Sequence, residues 1–352
     1  MLNHSAKLNP KIFDADVERV AIRRGFGEGL VAAGEKNKDV VALSADLAES
    51  VQMHFFKQKF PERFIEVGVA EQNLASVASG MAAMGKIPFI GSYAIFSPGR
   101  NWEQIRTTIC YNNQPVKIVG SHTGVTVGPD GGSHQALEDI ALARVLPRMI
   151  VLSPCDAIEA GKATIAAAAT GTPVYLRLAR DKTPIMTTSE TPFKIGQAEI
   201  FFEPAVGKPD VGIIATGTLV HEALLAAREL EKEKIGVTVM NLSTIKPLDV
   251  KAIVRLAESV KAIVTAEEHQ VAGGMGSAVA ECLAKHHPTP MEFVGMNDEF
   301  GQSGTPAELI EHYDLGRKGI IAAVKKVLKA DITAKTWLKK KRELVPGSVS
   351  LY

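Results

Sequence analysis

The stretch VKIVGSHTGVTVGPDGGSHQ, residues 116–135, passes from a β-branched run, Val116-Lys117-Ile118-Val119, into a polar, glycine-rich segment. That is the pattern of a buried parallel strand opening onto a loop, and in open α/β sheets ligands bind beyond the carboxyl ends of such strands. Working outward, similar runs recur at 40–43, 64–67, 87–90, 149–152 and 174–178, and helices are predicted near 18–35, 70–84, 100–112, 135–145 and 156–169. A second alternation places strands at 211–215, 237–240, 262–265 and near 293–294, with helices near 218–233, 248–258, 274–285 and 316–329. Between the two, residues 182–209 mix polarities, carry several Thr and Pro, and hold no period. The expected fold is α/β, with two consecutive doubly wound domains built on mainly parallel sheets. The expected division is 15–185, a connection 186–209, a smaller domain 210–330 and a tail 331–352.

Composition narrows the function. The 352 residues suffice for two cores. The 40 Lys and Arg against 39 Asp and Glu leave a net charge of +1, without the basic excess that gripping nucleic acid or an anionic membrane requires. Cys110, Cys155 and Cys282 are odd in number and widely spaced, which fits neither a disulfide framework nor a zinc site. With no apolar stretch of ~18 residues and no signal-peptide pattern at Met1 to Pro10, a reducing cytoplasm is the expected location. The basic run Lys339 to Arg342 reads as a solvated tail rather than a nucleic-acid or membrane anchor.

Polar residues that follow strands are the candidates for chemistry. Ser44-Ala45-Asp46-Leu47-Ala48-Glu49-Ser50 follows the first predicted strand, and Gly68-Val69-Ala70-Glu71-Gln72-Asn73 the second. Glu71 opens an apolar-periodic helix, so it reads either as a first-turn carboxylate favoured by the helix dipole or as a carboxyl buried against a ligand. His122 and His134 flank glycines 124, 128, 131 and 132, which permit close backbone approach to a ligand. Polar contacts to substrate suit these histidines better than metal ligation, for which the spacing offers no further ligands. Asp130-Gly131-Gly132 also reads as a plain turn, and His134 as a cap on the helix that follows.

Ser44-Ala45-Asp46-Leu47, Gly68-Val69-Ala70-Glu71, Asp130 to Gln135 and Pro154-Cys155-Asp156 occur in the order found in thiamine diphosphate enzymes of the transketolase family. From about residue 15 to 330 the chain resembles the C-terminal half of a transketolase, comprising its pyrimidine-binding and C-terminal domains. The resemblance implies that Glu71 is catalytic, sharing a proton with the N1′ nitrogen of the cofactor's aminopyrimidine, and that Asp46, Tyr93 and Phe96 join it in binding the cofactor. It assigns His134 and Asp130 to the sugar near its reacting carbonyl, with His134 catalytic, and Arg23, Ser50, His122 and Arg180 to the substrate phosphate. Arg24 and Arg177 stand close to Arg23 and Arg180, so each assignment could shift to its neighbour, and a salt bridge is the plain alternative for either arginine. Tyr93 and Phe96 also read as two ordinary core aromatics, and Gly99 stands where the family commonly has a third aromatic.

His122 favours two-carbon ketol transfer over the chemistry of the related deoxyxylulose phosphate synthases, which tend to place arginine there. Glu267-Glu268-His269 and Gly273-Gly274-Met275-Gly276 resemble the wider superfamily and read as structural, with an interface role open. The family's Gly-Asp-Gly motif for the diphosphate and its metal has no counterpart among these motifs. The resemblance therefore implies a separate N-terminal subunit that holds Mg2+ or Ca2+ and the diphosphate, in an α2β2 heterotetramer acting on phosphorylated sugars. A 2-oxoacid dehydrogenase β-type subunit and a non-catalytic scaffold of the same fold are the alternatives.

Overall fold

The computed structural model describes residues 1–329. The basic run Lys339 to Arg342 lies outside the described residues. The first half runs β1 (Arg19–Ala21), α1 (Ile22–Lys36), β2 (Val40–Ser44), α2 (His54–Lys59), β3 (Phe64–Glu66), α3 (Glu71–Ala83) and β4 (Ile87–Tyr93). A helix α4 follows, α-helical over Trp102–Gln104 and opening into wider π turns over Ile105–Tyr111. Then come β5 (Lys117–Ser121), α5 (Asp139–Arg144), β6 (Ile150–Leu152), α6 (Ala157–Ala168), β7 (Val174–Leu178) and β8 (Lys182–Pro184). The second half runs β9 (Glu199–Phe202), β10 (Val211–Ala215), α7 (Leu219–Lys232), β11 (Val237–Asn241), β12 (Thr244–Lys246), α8 (Val250–Ser259), β13 (Ala262–Gln270), α9 (Met275–His286), β14 (Met291–Met296) and α10 (Pro306–His312). The last helix among the described residues, α11, covers 317–329.

The seven-stranded first sheet has the order β12-β6-β7-β5-β4-β2-β3, and the five-stranded second sheet the order β14-β13-β10-β11-β9. Every pairing in them is parallel except at two edges, where β12 lies antiparallel to β6 and β9 antiparallel to β11. Both faces of the first sheet are covered, which is why its strands read as unbroken apolar runs. Val40 and Ala42 pack with Phe26 and Leu30 of α1 and Ala163 of α6, while Val41 and Leu43 pack with Leu74 and Ala78 of α3. The second of these clusters continues into Met240, Leu242 and Ile263, so the two halves share a core.

Several elements differ from expectation for physical reasons. β1, β8 and β12 are three residues long and carry no period of their own; tertiary pairing alone makes them strands. β9 falls inside the expected connection 186–209 and closes one edge of the second sheet. β12 follows β11 in sequence yet joins the first sheet, which ties the halves together. The helix expected from 135 begins only at Asp139, because the Gln135 side chain turns inward and its amide donates to the carbonyls of Val125 (3.2 Å) and Gln302 (2.9 Å).

A buried polar network crosses the junction. Arg177 on β7 donates to Asp139 at the start of α5 (2.8 Å) and to the carbonyl of Glu268 on β13 (2.8 Å). The Tyr175 hydroxyl donates to the same carboxylate (2.7 Å), and His269 Nε2 accepts the Ile140 N–H (3.1 Å). Burial pushes the His269 imidazole down to about 4, which keeps it neutral and able to accept. Asp139→Ala leaves the Arg177 charge buried and unpaired, and is expected to cost about 3–5 kcal/mol of stability by denaturant unfolding. A double Asp139→Leu, Arg177→Met variant is expected to recover most of that loss; equal midpoints for the wild type and the single variant would contradict the network's importance.

Candidate functional site

The register of the first sheet sets Tyr93 opposite Ser121 and Ser121 opposite Leu178, so Tyr93, His122 and Arg180 emerge together at the carboxyl edge. His122 adopts a left-handed φ of 59°, unusual for a side chain of its size, which turns the ring onto Tyr93. The two rings stack with centroids 3.8 Å apart, and the Ser121 hydroxyl lies 3.0 Å from His122 Nδ1. Phe96 lies nearly parallel to Tyr93 at 6.1 Å, while His134 meets Phe96 edge-on at 5.6 Å. Tyr93 and Phe96 are both half-buried, so the pair presents ring surface at the edge of the sheet instead of disappearing into the core.

Glu71 is the first residue of α3 and only 2% exposed. Two loops are tied together just before it, because Glu66 Oε1 accepts the N–H groups of both Asp46 (2.7 Å) and Gly68 (3.0 Å). The buried Asn101 amide donates to the Glu71 carbonyl (3.0 Å) and to the Ser97 hydroxyl (3.1 Å), fastening α3 to the aromatic segment. Arg100 reaches Glu71 Oε2 at 3.3 Å while its guanidinium lies over the Phe96 ring, 5.5 Å from the centroid. A planar set of N–H donors thus spans the carboxylate and the aromatic face, the two partners an aminopyrimidine ring would use. The residues present fit that ring. Gly99 cannot carry the family's third aromatic here, since a Cβ would fall 1.8 Å from the Ile95 carbonyl oxygen.

The short ladder of β1 with β8 pairs Ala21 with Lys182, which carries Arg23, just inside α1, up against Arg180. Arg23 Nη1 donates to the Ser50 carbonyl (2.5 Å) and Arg180 Nη1 to the Val127 carbonyl (3.0 Å), while Arg23 Nε is buried without a hydrogen-bond partner among the described residues. Burial, and then the neighbouring Arg180 charge, lower the Arg23 pKa. Burial together with these two guanidinium groups and His134 pushes His122 down to about 3. Two adjacent cations and an orphaned donor make a site short of an anion. The competing arginines are used elsewhere: Arg24 pairs with Glu28 on the surface at 2.8 Å, and Arg177 belongs to the buried junction.

Asp130 is exposed, at the outer end of the glycine-rich loop, and His134 is half-buried. Asp46 is exposed as well, and its backbone N–H donates to Glu66. The Ser50 carbonyl accepts from Arg23, which sets Ser50 beside the guanidinium pair. Glu66, Arg100 and Asn101 escape the sequence reading, although a charged and an amide residue directly after Phe96-Ser97-Pro98-Gly99 is a visible signal. Among the described residues no group of three or more His, Cys, Asp or Glu could hold a metal ion.

Comparison with known sequences bears on this arrangement. The sequence model of the transketolase pyrimidine-binding domain matches residues 18–186, and that of the transketolase C-terminal domain matches residues 203–320. A protein from Methanocaldococcus jannaschii described as a transketolase C-terminal section is 40% identical over 313 residues, covering 88% of this chain and 97% of its own length. The chain belongs to the transketolase family. A 6-deoxy-6-sulfo-D-fructose transketolase subunit from Clostridium sp. strain MSTE9 is 39% identical over 90% of this chain and 97% of its own. Among solved structures, a split gene transketolase described as an inactive β4 tetramer superposes with a TM-score of 0.81 at 42% identity, covering 88% of this chain and 99% of that one.

The transketolase fold here leaves an anion-deficient pair beside a neutral histidine, and that is directly measurable. At about pH 6, free histidine is largely protonated, whereas the 15N resonances of His122 are expected to be those of a neutral ring. Inorganic phosphate is expected to neutralise Arg23 and Arg180 and so to shift those resonances toward protonation. The response disappears in an Arg23→Met, Arg180→Met variant; a His122 ring that is charged at that pH and indifferent to phosphate contradicts the arrangement.

Proposed function

We propose that this chain is the C-terminal subunit of a two-chain thiamine diphosphate-dependent transketolase, a glycolaldehyde transferase that moves a two-carbon ketol unit from a ketose phosphate to an aldose phosphate. The observation that carries the reading is one sheet edge bearing both a buried carboxylate with aromatic rings and a pair of guanidinium groups. A heterocycle at one end and a phosphate at the other is the ligand set such an edge suits.

When bound, thiamine diphosphate supplies the electron sink for carbon–carbon bond cleavage. Glu71 holds the ring nitrogen and shares a proton with it, and its burial keeps water from competing. Tyr93 and Phe96 offer the stacking surface, and Asp46 borders the cofactor's side of the site through the loop that Glu66 fixes. Arg23 and Arg180 take the sugar phosphate, with His122 as a neutral hydrogen-bonding partner between them and the rings. His134 orients the sugar hydroxyl and moves a proton as the bond breaks, and Asp130 assists in positioning the sugar. The Clostridium relative is named for a sulfonated sugar, and a guanidinium pair donates to sulfonate oxygens by the same chemistry.

The diphosphate and its Mg2+ or Ca2+ belong to an N-terminal partner subunit in this reading, with an α2β2 heterotetramer in the cytoplasm as the active form. The inactive β4 assembly of the split gene relative supports a requirement for such a partner.

Mixing this chain with an N-terminal transketolase subunit, cofactor and Mg2+ should transfer ketol units from xylulose 5-phosphate to ribose 5-phosphate. Glu71→Gln should fold and assemble but lose at least about a hundredfold in kcat. Transfer by this chain alone would contradict the reading. So would turnover of pyruvate, either with a redox acceptor or by condensation with glyceraldehyde 3-phosphate, because each belongs to a different thiamine diphosphate enzyme. A mixture without any turnover would favour the scaffold.

A further inference from the structure

The loop that bears Asp130 and His134 is held from the opposite side by the second half of the chain. Its neck is closed within the first half of the chain, where the Gly124 N–H donates to the Ala136 carbonyl at 2.9 Å and Thr123 bridges Ala136. Its interior is filled by Gln135, whose amide spans the carbonyls of Val125 and Gln302. Its first turn rests on Glu268. That residue lies on β13, is 2% exposed, and accepts the Thr126 N–H on Oε1 at 2.5 Å and the Thr218 hydroxyl on Oε2 at 2.7 Å.

Both carboxylate oxygens are therefore committed, one to the loop and one to the start of α7. The fit is close: a Cβ at Gly124 would lie 2.2 Å from Glu268 Oε1, and Gly124 takes a φ of +75°, so glycine is required there on both counts. A backbone N–H bonded to a buried carboxylate is a stronger restraint than a neutral hydrogen bond, and it sits four residues before Asp130 and eight before His134. None of the roles assigned above uses Glu268.

We propose that Glu268 is a positioning residue for the sugar-binding loop, fixing the conformation in which Asp130 and His134 face the substrate; this rests on the transketolase reading above. Glu268 touches neither cofactor nor sugar. It acts through the Thr126 N–H, and it makes the second domain a determinant of sugar affinity.

The groups facing Glu268 from its neighbours are Thr126 and Gly124 on the loop, Thr218 before α7, and Arg177 on β7. Arg177 touches the Glu268 backbone carbonyl, and its side-chain partner is Asp139. Replacing the Glu268 side chain therefore leaves the Arg177–Asp139 pair in contact, although it removes a neighbouring carboxylate that favours the Arg177 charge. Glu268→Gln keeps an acceptor for the Thr126 N–H and serves as the rescue, whereas Glu268→Leu removes it. Gly124→Ala disturbs the same contact from the other side.

The test has two arms. Hydrogen–deuterium exchange on the isolated chain should show Thr126 losing at least about tenfold of its protection in Glu268→Leu and Gly124→Ala, the factor one charge-assisted hydrogen bond is worth. Glu268→Gln should stay near the wild type. In the reconstituted complex, Glu268→Leu should raise the KM for both sugar phosphates by about tenfold. Its affinity for thiamine diphosphate should not change, and Glu268→Gln should restore the KM. Unchanged exchange and KM in Glu268→Leu would overturn the proposal. So would a parallel loss of cofactor affinity and thermal stability, since that marks a merely structural role. A wild-type complex that transfers no ketol units counts against the functional reading, while the exchange arm still decides whether Glu268 holds the loop.

Discussion

The buried pairing of Arg177 with Asp139 is the constraint on which the rest of the structure depends. A guanidinium this deep is tolerated only because a backbone carbonyl and a carboxylate, itself held by the Tyr175 hydroxyl, converge on it. Those partners come from α5, β7 and β13, so satisfying one charge fixes how two parallel sheets meet. Once they meet in that way, β12 can complete the first sheet, the core runs through from one half to the other, and the glycine-rich loop finds Glu268 behind it. The second domain thereby shapes a site whose proposed ligand contacts all lie in the first.

The long, doubly covered strands are legible in the sequence because burial on both faces demands unbroken apolar runs, as at Val40 to Leu43 and Val174 to Leu178. The three-residue strands are not, since nothing in Arg19 to Ala21 or Thr244 to Lys246 distinguishes them from a loop until a partner strand supplies the hydrogen bonds. That failure has a functional side: the β1–β8 ladder is what brings Arg23 to Arg180, so spacing alone leaves Arg24 and Arg177 as rivals. Glu71, Tyr93 and His122 can be singled out as candidates because each ends or follows a strand, while their proposed roles come from the family resemblance. Arg100, Asn101 and Glu66 cannot, because their importance lies in where long side chains reach across loops.

Charge follows the same logic. With 40 basic and 39 acidic residues the surface offers no general attraction for anions, and the local deficit at Arg23 and Arg180 is created by burial and proximity. His122 stays neutral between the guanidinium pair and the rings because protonation there would add a third positive charge to a dry corner. On the other side of the rings, Arg100 already pairs with Glu71, so a ring nitrogen seeking that carboxylate meets a competitor.

The central claim is that this chain carries the ring-binding and sugar-binding part of a site completed by a second subunit. Calorimetric titration with thiamine diphosphate and Mg2+ tests it most directly, run on this chain alone and on its mixture with an N-terminal transketolase subunit. The account predicts tight binding in the mixture only, weakened when Glu71 is replaced by glutamine. Equally tight binding by this chain alone, or binding in the mixture that ignores Glu71, would contradict it.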